Sequence, residues 1–213
     1  MMKSTSYLFA LVVALAGNPA AAHEVWIERN ATGPARIYLG EPAEVMPDAG
    51  DPEFHHLQRP QFVGSSSRPV PLIRRSNHIE AEVGPGDVRV RDDAVFAPWK
   101  SGETMQGAIF YARSGLAETN AALDLELVPV TAGAKRLVVM FRGKPLPGAK
   151  VTVITPDRWQ KAFVSDDKGE FEVPQQGVGR YLVSTSHTEE KAAKLGGQDV
   201  ASVIHTSTLT FAD

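Results

Sequence analysis

The stretch RLVVMFRGKPLPGAKVTVIT, residues 136–155, decides the predicted fold. Six β-prone residues (136–141) are followed by a compact turn rich in Gly and Pro (142–149) and then by a second β-prone run (150–155). Turn residues between two such runs are typical of strands that pair with each other. We therefore predict two strands joined by a turn, with no helix between them.

The residues that follow continue the same pattern to the end of the chain. The sequence DDKGEF (166–171) predicts a tight turn in which Gly169 is suited to a positive φ. Further strands are predicted at residues 170–173, 181–186 and 202–211. Residues 131–213 thus predict a small β-sandwich of immunoglobulin-like or transthyretin-like build. The charged, Ala-rich segment 189–194 is expected to be a short helix or a mobile loop.

Short β-rich runs also fill the first half of the chain, and no segment keeps a long helical period. Strands are predicted at residues 35–39, 70–73, 79–83, 87–91 and 105–112, and residues 42–60 are expected to form a long, poorly regular loop. The run LDLELV (123–128) alternates strictly, as a half-buried strand does. With a joint near residues 129–135, the chain is predicted to be all-β, with two small β-sandwich-like domains at 23–130 and 131–213.

Residues 1–22 have the features of a secretory signal peptide. A basic Lys3 precedes a short apolar stretch, and the small residues Ala20–Ala22 form a cleavage site directly before HEVWIE (23–28). We expect an exported, periplasmic protein whose mature chain begins at His23. Nothing later in the chain approaches the roughly 20 apolar residues of a membrane-spanning helix, so no transmembrane segment is expected in the mature protein.

Composition excludes several classes of function. The formal net charge of -3 offers no basic field for nucleic acid. The chain has no cysteine, so any metal must be bound by nitrogen and oxygen atoms, and six histidines are available. No nucleophile elbow, phosphate-binding loop, zinc-protease helix or dinucleotide fingerprint occurs, so we do not expect an enzyme. One catalytic alternative is a copper site of the kind that oxidative polysaccharide-cleaving enzymes build on an N-terminal histidine.

His23 is the first candidate metal ligand. An N-terminal histidine offers a metal its α-amine and its ring Nδ1 in one chelate, and Cu²⁺ or Ni²⁺ can displace the amine proton near neutral pH. Signal peptidase tolerates many residues after the cut, so the alternative is that the histidine there is accidental. The neighbouring Glu24 could complete a nitrogen and oxygen ligand set. Its alternative role is that of a solvated residue on a strand face.

The other histidines are weaker candidates. His187 ends an alternating strand beside two acids, and is either a ligand or a capping or surface residue. His205 shares its strand parity with apolar residues, which favours a core histidine. If His55 and His56 lay on a strand they would face opposite sides, so a solvated loop is favoured. His78 is most simply a turn residue.

Several motifs recur in one order along the chain: AHEVWIE (22–28), RIYLGE (36–41), LELVPV (125–130), FRGKPLPGAKVTV (141–153), DDKGEF (166–171), GRYLVSTSH (179–187) and STLTF (207–211). In these motifs the chain resembles an exported family of unknown function that includes periplasmic accessory proteins of nickel and cobalt uptake (NikK-like). His23 and Trp26 match the opening His-x-x-Trp pattern of the family, and His187 matches the histidine after the Gly-Arg-Tyr strand. His205 departs from it, because a tyrosine is often found near that position.

The resemblance implies a periplasmic protein that binds a divalent transition metal, nickel or cobalt, and presents it to a membrane transporter. Its expected ligands are His23, His187 and, with less weight, Glu24. Copper handling through the same residues is one alternative, because copper binds most nitrogen and oxygen sites more tightly than nickel does. The other alternative is a β-sandwich module that binds a peptide, a glycan or a partner protein and uses its histidines for no metal.

Overall fold

The computed structural model describes residues 23–30, 33–64 and 69–213. The predicted signal peptide lies outside these residues. The described chain is built from β-strands and one 3-10 helix at Pro52–His56, which confirms the predicted all-β, sandwich-like fold. The strands are β1 Glu24–Glu28, β2 Ala35–Gly40, β3 Gln61–Phe62, β4 Leu72–Arg74, β5 Ile79–Ala81, β6 Val88–Asp92, β7 Trp99–Ser101, β8 Thr104–Ser114, β9 Leu125–Pro129, β10 Arg136–Phe141, β11 Lys144–Pro145, β12 Lys150–Ile154, β13 Gln160–Val164, β14 Glu170–Glu172, β15 Arg180–Glu189, β16 Ala193–Leu195, β17 Gln198–Val200 and β18 Ser202–Ala212.

The strands form three layers. The central sheet has eight strands, in the order β13-β12-β15-β18-β8-β6-β3 with β7 paired to β8. A front sheet of β1, β2, β5 and β4 packs on one face, and a back sheet of β9, β10, β11 and β14 packs on the other. Alternation along β8 divides its side chains between two cores. Ala108, Phe110 and Ala112 belong to the front core, whereas Ile109 and Tyr111 belong to the back core.

The central sheet takes strands from both halves of the chain. β18 pairs with β15 on one side and, in parallel, with β8 on the other. The side chains of Thr208 and Thr210 also donate hydrogen bonds to the backbone oxygens of Val25 and Ile27 in β1. The division into domains at residues 23–130 and 131–213 stays a prediction, and strands from both sides of it share one sheet and one core.

Strand positions in the second half were predicted closely. The predicted strand at residues 136–141 coincides with β10, and Gly169 adopts a φ of 75° in the tight turn before β14. The expected short helix at residues 189–194 is not found, and the loop that was its alternative is limited to residues 190–192. β15 extends to Glu189, and the hairpin of β16 and β17 begins at Ala193. The charge and alanine content of this segment suggested a helix, but pairing with neighbouring strands determines its structure.

A buried ion-pair network, here called the Glu126 network, ties β6 and β8 to β9. Glu126 Oε1 accepts hydrogen bonds from Arg89 Nε (2.6 Å) and Arg113 Nη1 (2.8 Å). The backbone N–H groups of Ala122 and Leu123 donate to Glu126 Oε2. Strict alternation in LDLELV predicted a half-buried strand, yet all five residues of β9 are buried. Glu126 can be buried there because both of its oxygens are paired.

Candidate metal centre

The 3-10 helix at Pro52–His56 is held in place at its start, its middle and its end. Asp51 caps it by accepting a hydrogen bond from the N–H of Glu53 (2.8 Å), and Pro52 fits the first turn. Phe54 is buried in the front core. The guanidinium of Arg74 lies 4.2 Å from the centre of the Phe54 ring and donates to the backbone oxygen of Phe54 (2.7 Å). The polar side chains of the helix are therefore presented outward from a fixed backbone.

Glu53, His55 and His56 form the candidate metal centre. One potential ligand atom from each lies within 4.8 Å of the others. A 3-10 helix has three residues per turn, so Glu53 and His56 lie on one face, with Oε2 and Nε2 3.0 Å apart. His55 Nδ1 lies 2.8 Å from the backbone oxygen of Pro52, which can only accept a hydrogen bond. This contact favours the tautomer of His55 with its proton on Nδ1, which leaves the lone pair of Nε2 for a metal.

These donors suit a divalent transition metal. Two imidazole nitrogens and one carboxylate are a set that nickel, cobalt, copper and zinc accept, whereas magnesium and calcium prefer oxygen atoms only. His55 is exposed, and Glu53 and His56 are partly exposed. A metal could therefore reach this centre from solvent and keep further coordination positions open for water or another ligand.

Sequence reasoning did not select this centre. It assumed that His55 and His56, if they lay on a strand, would face opposite sides, but their rings are 4.0 Å apart at the centroids in the 3-10 helix. The signal that could have identified the helix is the order Asp51-Pro52-Glu53, which places a capping residue, a proline and an acid at a helix start.

His23 lies beside this centre. Its Nε2 is 3.1 Å from Asp51 Oδ1, the same oxygen that caps the 3-10 helix. Its ring also packs edge-on against Phe96 at 6.3 Å, and the ring of His56 packs against Phe96 at 5.2 Å. His23 and the centre are therefore connected through two shared residues, Asp51 and Phe96.

Glu24 points into a different environment. It begins β1, and its Oε2 is buried and accepts no hydrogen bond from the residues that the structure describes. Burial raises the pKa of the Glu24 carboxyl to about 7, and a hydrogen bond with the Ser184 side chain partly offsets that rise. A solvated strand face, the alternative expected from the sequence, is not what the structure shows.

The structure does not bring His187 together with Glu24 and His23. On β15, Ser184 faces the front sheet and contacts Glu24, and side chains of the opposite parity face the back sheet. His187 has that opposite parity, and its ring lies 4.5 Å from the ring of Phe141 in β10. A metal held jointly by His23 and His187 would have to cross the central sheet. The expected three-residue ligand set is therefore not assembled.

His205 is a core histidine, as its strand parity predicted. It pairs in register with His187, and its Nδ1 lies 3.0 Å from the hydroxyl oxygen of Tyr111. Its Nε2 is 3.6 Å from Glu189 Oε2, beyond a hydrogen bond. Burial lowers the pKa of His205, and the carboxylates of Glu189 and Asp124 act in the opposite direction.

Within the described ranges, no helix has the length and apolar character needed to cross a membrane.

Comparison with known proteins adds little. No family model matches the chain, and no curated protein matches it. A solved structure titled as the mixed-linkage glucan utilization locus protein SGBP-B of Bacteroides ovatus, in complex with a mixed-linkage heptasaccharide, aligns at 11% identity. The alignment covers 92% of this chain and 47% of that chain, with a TM-score of 0.18. A similarity of that size carries no argument about fold or function.

Proposed function

We propose that this protein binds a divalent transition metal ion through Glu53, His55 and His56. The observation that carries the proposal is the convergence of their ligand atoms to within 4.8 Å on a capped 3-10 helix. Because the helix backbone is fixed by Asp51 and Arg74, little backbone conformational entropy remains to be lost when a metal binds.

The position of the centre fits capture and release of the metal better than permanent storage. Three protein ligands on a partly exposed surface leave open coordination positions, through which a second protein could take the ion. We propose nickel or cobalt as the cargo of an exported protein that serves a membrane transporter. Copper is the alternative, since the same ligands bind it more tightly.

His23 has an auxiliary role in this proposal. If the chain is cleaved after Ala22, its α-amine belongs to the residue directly before β1, whose ring nitrogen Nε2 lies 3.1 Å from the capping residue Asp51. The side-chain centre does not require that amine, whereas the terminal chelate predicted from the sequence does. The two arrangements can therefore be separated by experiment.

The test is calorimetric titration of the processed protein with Ni²⁺, Co²⁺, Cu²⁺ and Zn²⁺, beside two variants. A His55→Ala/His56→Ala double variant should lose at least about tenfold in affinity. A form with one extra residue before His23 should bind as the processed protein does. Equal binding by the double variant would overturn the side-chain centre, and loss of binding in the extended form would indicate the terminal chelate.

His187→Ala is the matched control, because it removes a partly exposed histidine from the opposite face of the central sheet. We expect its affinity to be unchanged. Affinity of the unmodified centre should fall between about pH 7.5 and about pH 5.5, because the imidazoles must lose their protons to bind a metal. Binding that does not depend on pH would contradict histidine ligation.

A further inference from the structure

A cavity of about 210 Å³ opens between the start of β1, the turn after β2, and strands β12, β13 and β15. Its polar lining comprises three carboxylates, two hydroxyls and one amide: Glu24, Glu41, Glu44, Thr152, Ser184 and Gln160. No Lys, Arg or His is among the described residues that line it. The cavity, here called the Glu24 cavity, is therefore lined by acidic side chains and, among the described residues, by no basic side chain.

The Glu24 cavity differs from a group of surface acids because one carboxyl oxygen of Glu24 is buried. Its Oε2 is inaccessible to solvent and receives no hydrogen bond from any described residue. A buried carboxylate oxygen without a partner destabilises the folded state, and proteins seldom keep one without a use for it. Ser184 contacts this carboxyl group but does not satisfy Oε2. The missing partner is a donor of hydrogen bonds.

The arrangement of the carboxylates does not suit a single metal ion. Among the described residues, the acids and histidines whose ligand atoms converge within 4.8 Å are Glu53, His55 and His56, and the acids of the Glu24 cavity are not in that set. Its negative charges are spread around the cavity wall. Spread charge suits a cation that has both volume and several N–H donors.

Size and lining narrow the class of ligand. A cavity of about 210 Å³ has room for a small ligand of several non-hydrogen atoms and not only for a single ion. Ile154, Pro42 and Ala43 add an apolar portion to the wall, which can contact methylene groups. A second cavity, of about 240 Å³, shares Glu41 and Glu44 with the first and extends the acidic surface to Asp51.

We propose that the Glu24 cavity binds a primary ammonium group on a short aliphatic chain. The ammonium donates to the Glu24 carboxyl group at the inner end of the cavity, where a small rotation of the side chain exposes Oε2 to the ligand. Glu41 and Glu44 hold the positive charge of the ligand near the opening. The same chemistry is offered by a free diamine and by a lysine side chain of a partner protein. The proposal is independent of the metal centre at Glu53, His55 and His56.

The experiment is titration at pH 8 with two probes, 1,4-diaminobutane and Nα-acetyl-lysine N-methylamide, followed by NMR at the amides of Ser184 and Gln160. Glu24→Gln should weaken binding at least about tenfold. Glu28→Gln is the matched control, since Glu28 lies on the same strand and parity but outside the cavity, and its affinity should be unchanged. Tighter binding of the diamine would identify a free amine, and tighter binding of the lysine derivative a protein partner.

Three results would overturn the proposal. One is that neither probe binds the unmodified protein. Another is that Glu24→Gln binds as tightly as the unmodified protein, which would place the amine elsewhere. The third is that Ca²⁺ binds in a way that depends on Glu24 whereas the amines do not. Glu44→Gln provides a second variant near the opening, and a smaller loss of affinity than for Glu24→Gln is expected there.

Discussion

Glu126 is fully buried and Glu24 has one buried carboxyl oxygen, but the hydrogen-bond partners of these two carboxyl groups differ. Glu126 has two arginines on one oxygen and two backbone N–H groups on the other. Glu24 has Ser184 beside it and an oxygen that accepts nothing from the described residues. The Glu126 carboxylate has hydrogen-bond partners on both oxygens and holds strands together. The Glu24 carboxyl group lacks a partner on one oxygen and lies at a cavity. A buried acid is a candidate for ligand binding when its partners are missing, and burial alone does not show it.

The largest expected effect on stability comes from a substitution in the Glu126 network. Glu126→Gln removes the negative charge that Arg89 and Arg113 share, and leaves each arginine with one remaining carboxylate partner, Glu118 for Arg89 and Asp87 for Arg113. Removing one partner of a buried ion pair costs about 3–5 kcal/mol of stability. Urea unfolding would measure this loss, with Glu172→Gln on the exposed face of β14 as the control. A loss no larger than that of the control would show that the network does not stabilise the fold.

Glu24→Gln should have the opposite effect on stability, and only at high pH. The folded-state pKa is raised from 4.5 to about 7, so the contribution of Glu24 is fully present below about pH 4.5 and is lost as pH rises through 7. Glutamine does not titrate, so the variant should be more stable than the unmodified protein by about 1–2 kcal/mol at pH 8.5, and nearly equal to it at pH 5. Glu41 and Glu44 also face the cavity and are common to both proteins.

Thermal unfolding of both proteins across this pH range would measure the difference. A variant whose advantage does not change with pH would show that Glu24 is already compensated in the folded state.

His205 should make the stability of the folded protein depend on pH in the acid range, by less than Glu24 does at high pH. Its folded-state pKa is lowered from 6.5, so the unfolded chain binds more protons and stability falls as pH drops through the ordinary histidine range. Glu189 and Asp124 face it as anions and Arg142 as a cation, and Tyr111 contacts its ring. The unfolding temperature of His205→Gln should therefore fall less between pH 7 and pH 5 than that of the unmodified protein. Parallel curves for the two proteins would contradict this role.

The smallest effect is expected from an ion pair on the surface. Arg136 Nε lies 2.7 Å from Glu170 Oε2 on the back sheet, with the Arg136 side chain mostly in solvent. Exposed pairs of this kind are screened by water and contribute little. Arg136→Gln should leave the unfolding temperature unchanged within error. A clear decrease in the unfolding temperature would show that exposed ion pairs also stabilise this fold, as the buried Glu126 network is expected to do.

The sequence predicted the strands better than it predicted the partners of polar side chains. A run of β-prone residues located β10 and turn residues located the turn at Gly169, because both signals depend on neighbours in sequence. Alternation also predicted that Glu126 would lie on the exposed face of a half-buried strand, and this was wrong. Its arginines come from positions 37 and 13 residues away, and no local pattern reveals them.

The candidate site was predicted less well for the same reason. His23 was identified from its position after a cleavage signal, but the partner that the structure gives it, Asp51, lies 28 residues away. His187 was placed at the end of the correct strand, yet the face on which it lies depends on how three sheets stack. Whether His55 and His56 can share a site depends on the local backbone geometry, which the sequence did not reveal. A 3-10 turn brings neighbouring rings together, whereas a strand separates them.

The parallel pairing of β18 with β8 has a consequence for how quickly the chain can fold. These strands are about a hundred residues apart in sequence, and β18 also pairs with β15 and contacts β1. A central sheet closed by such distant segments has a high contact order, and the entropy of closing the loop is lost before most of the stabilising contacts form. The newly made chain should therefore remain unfolded for longer than a helical protein of its size, and both cores close only when β18 is inserted.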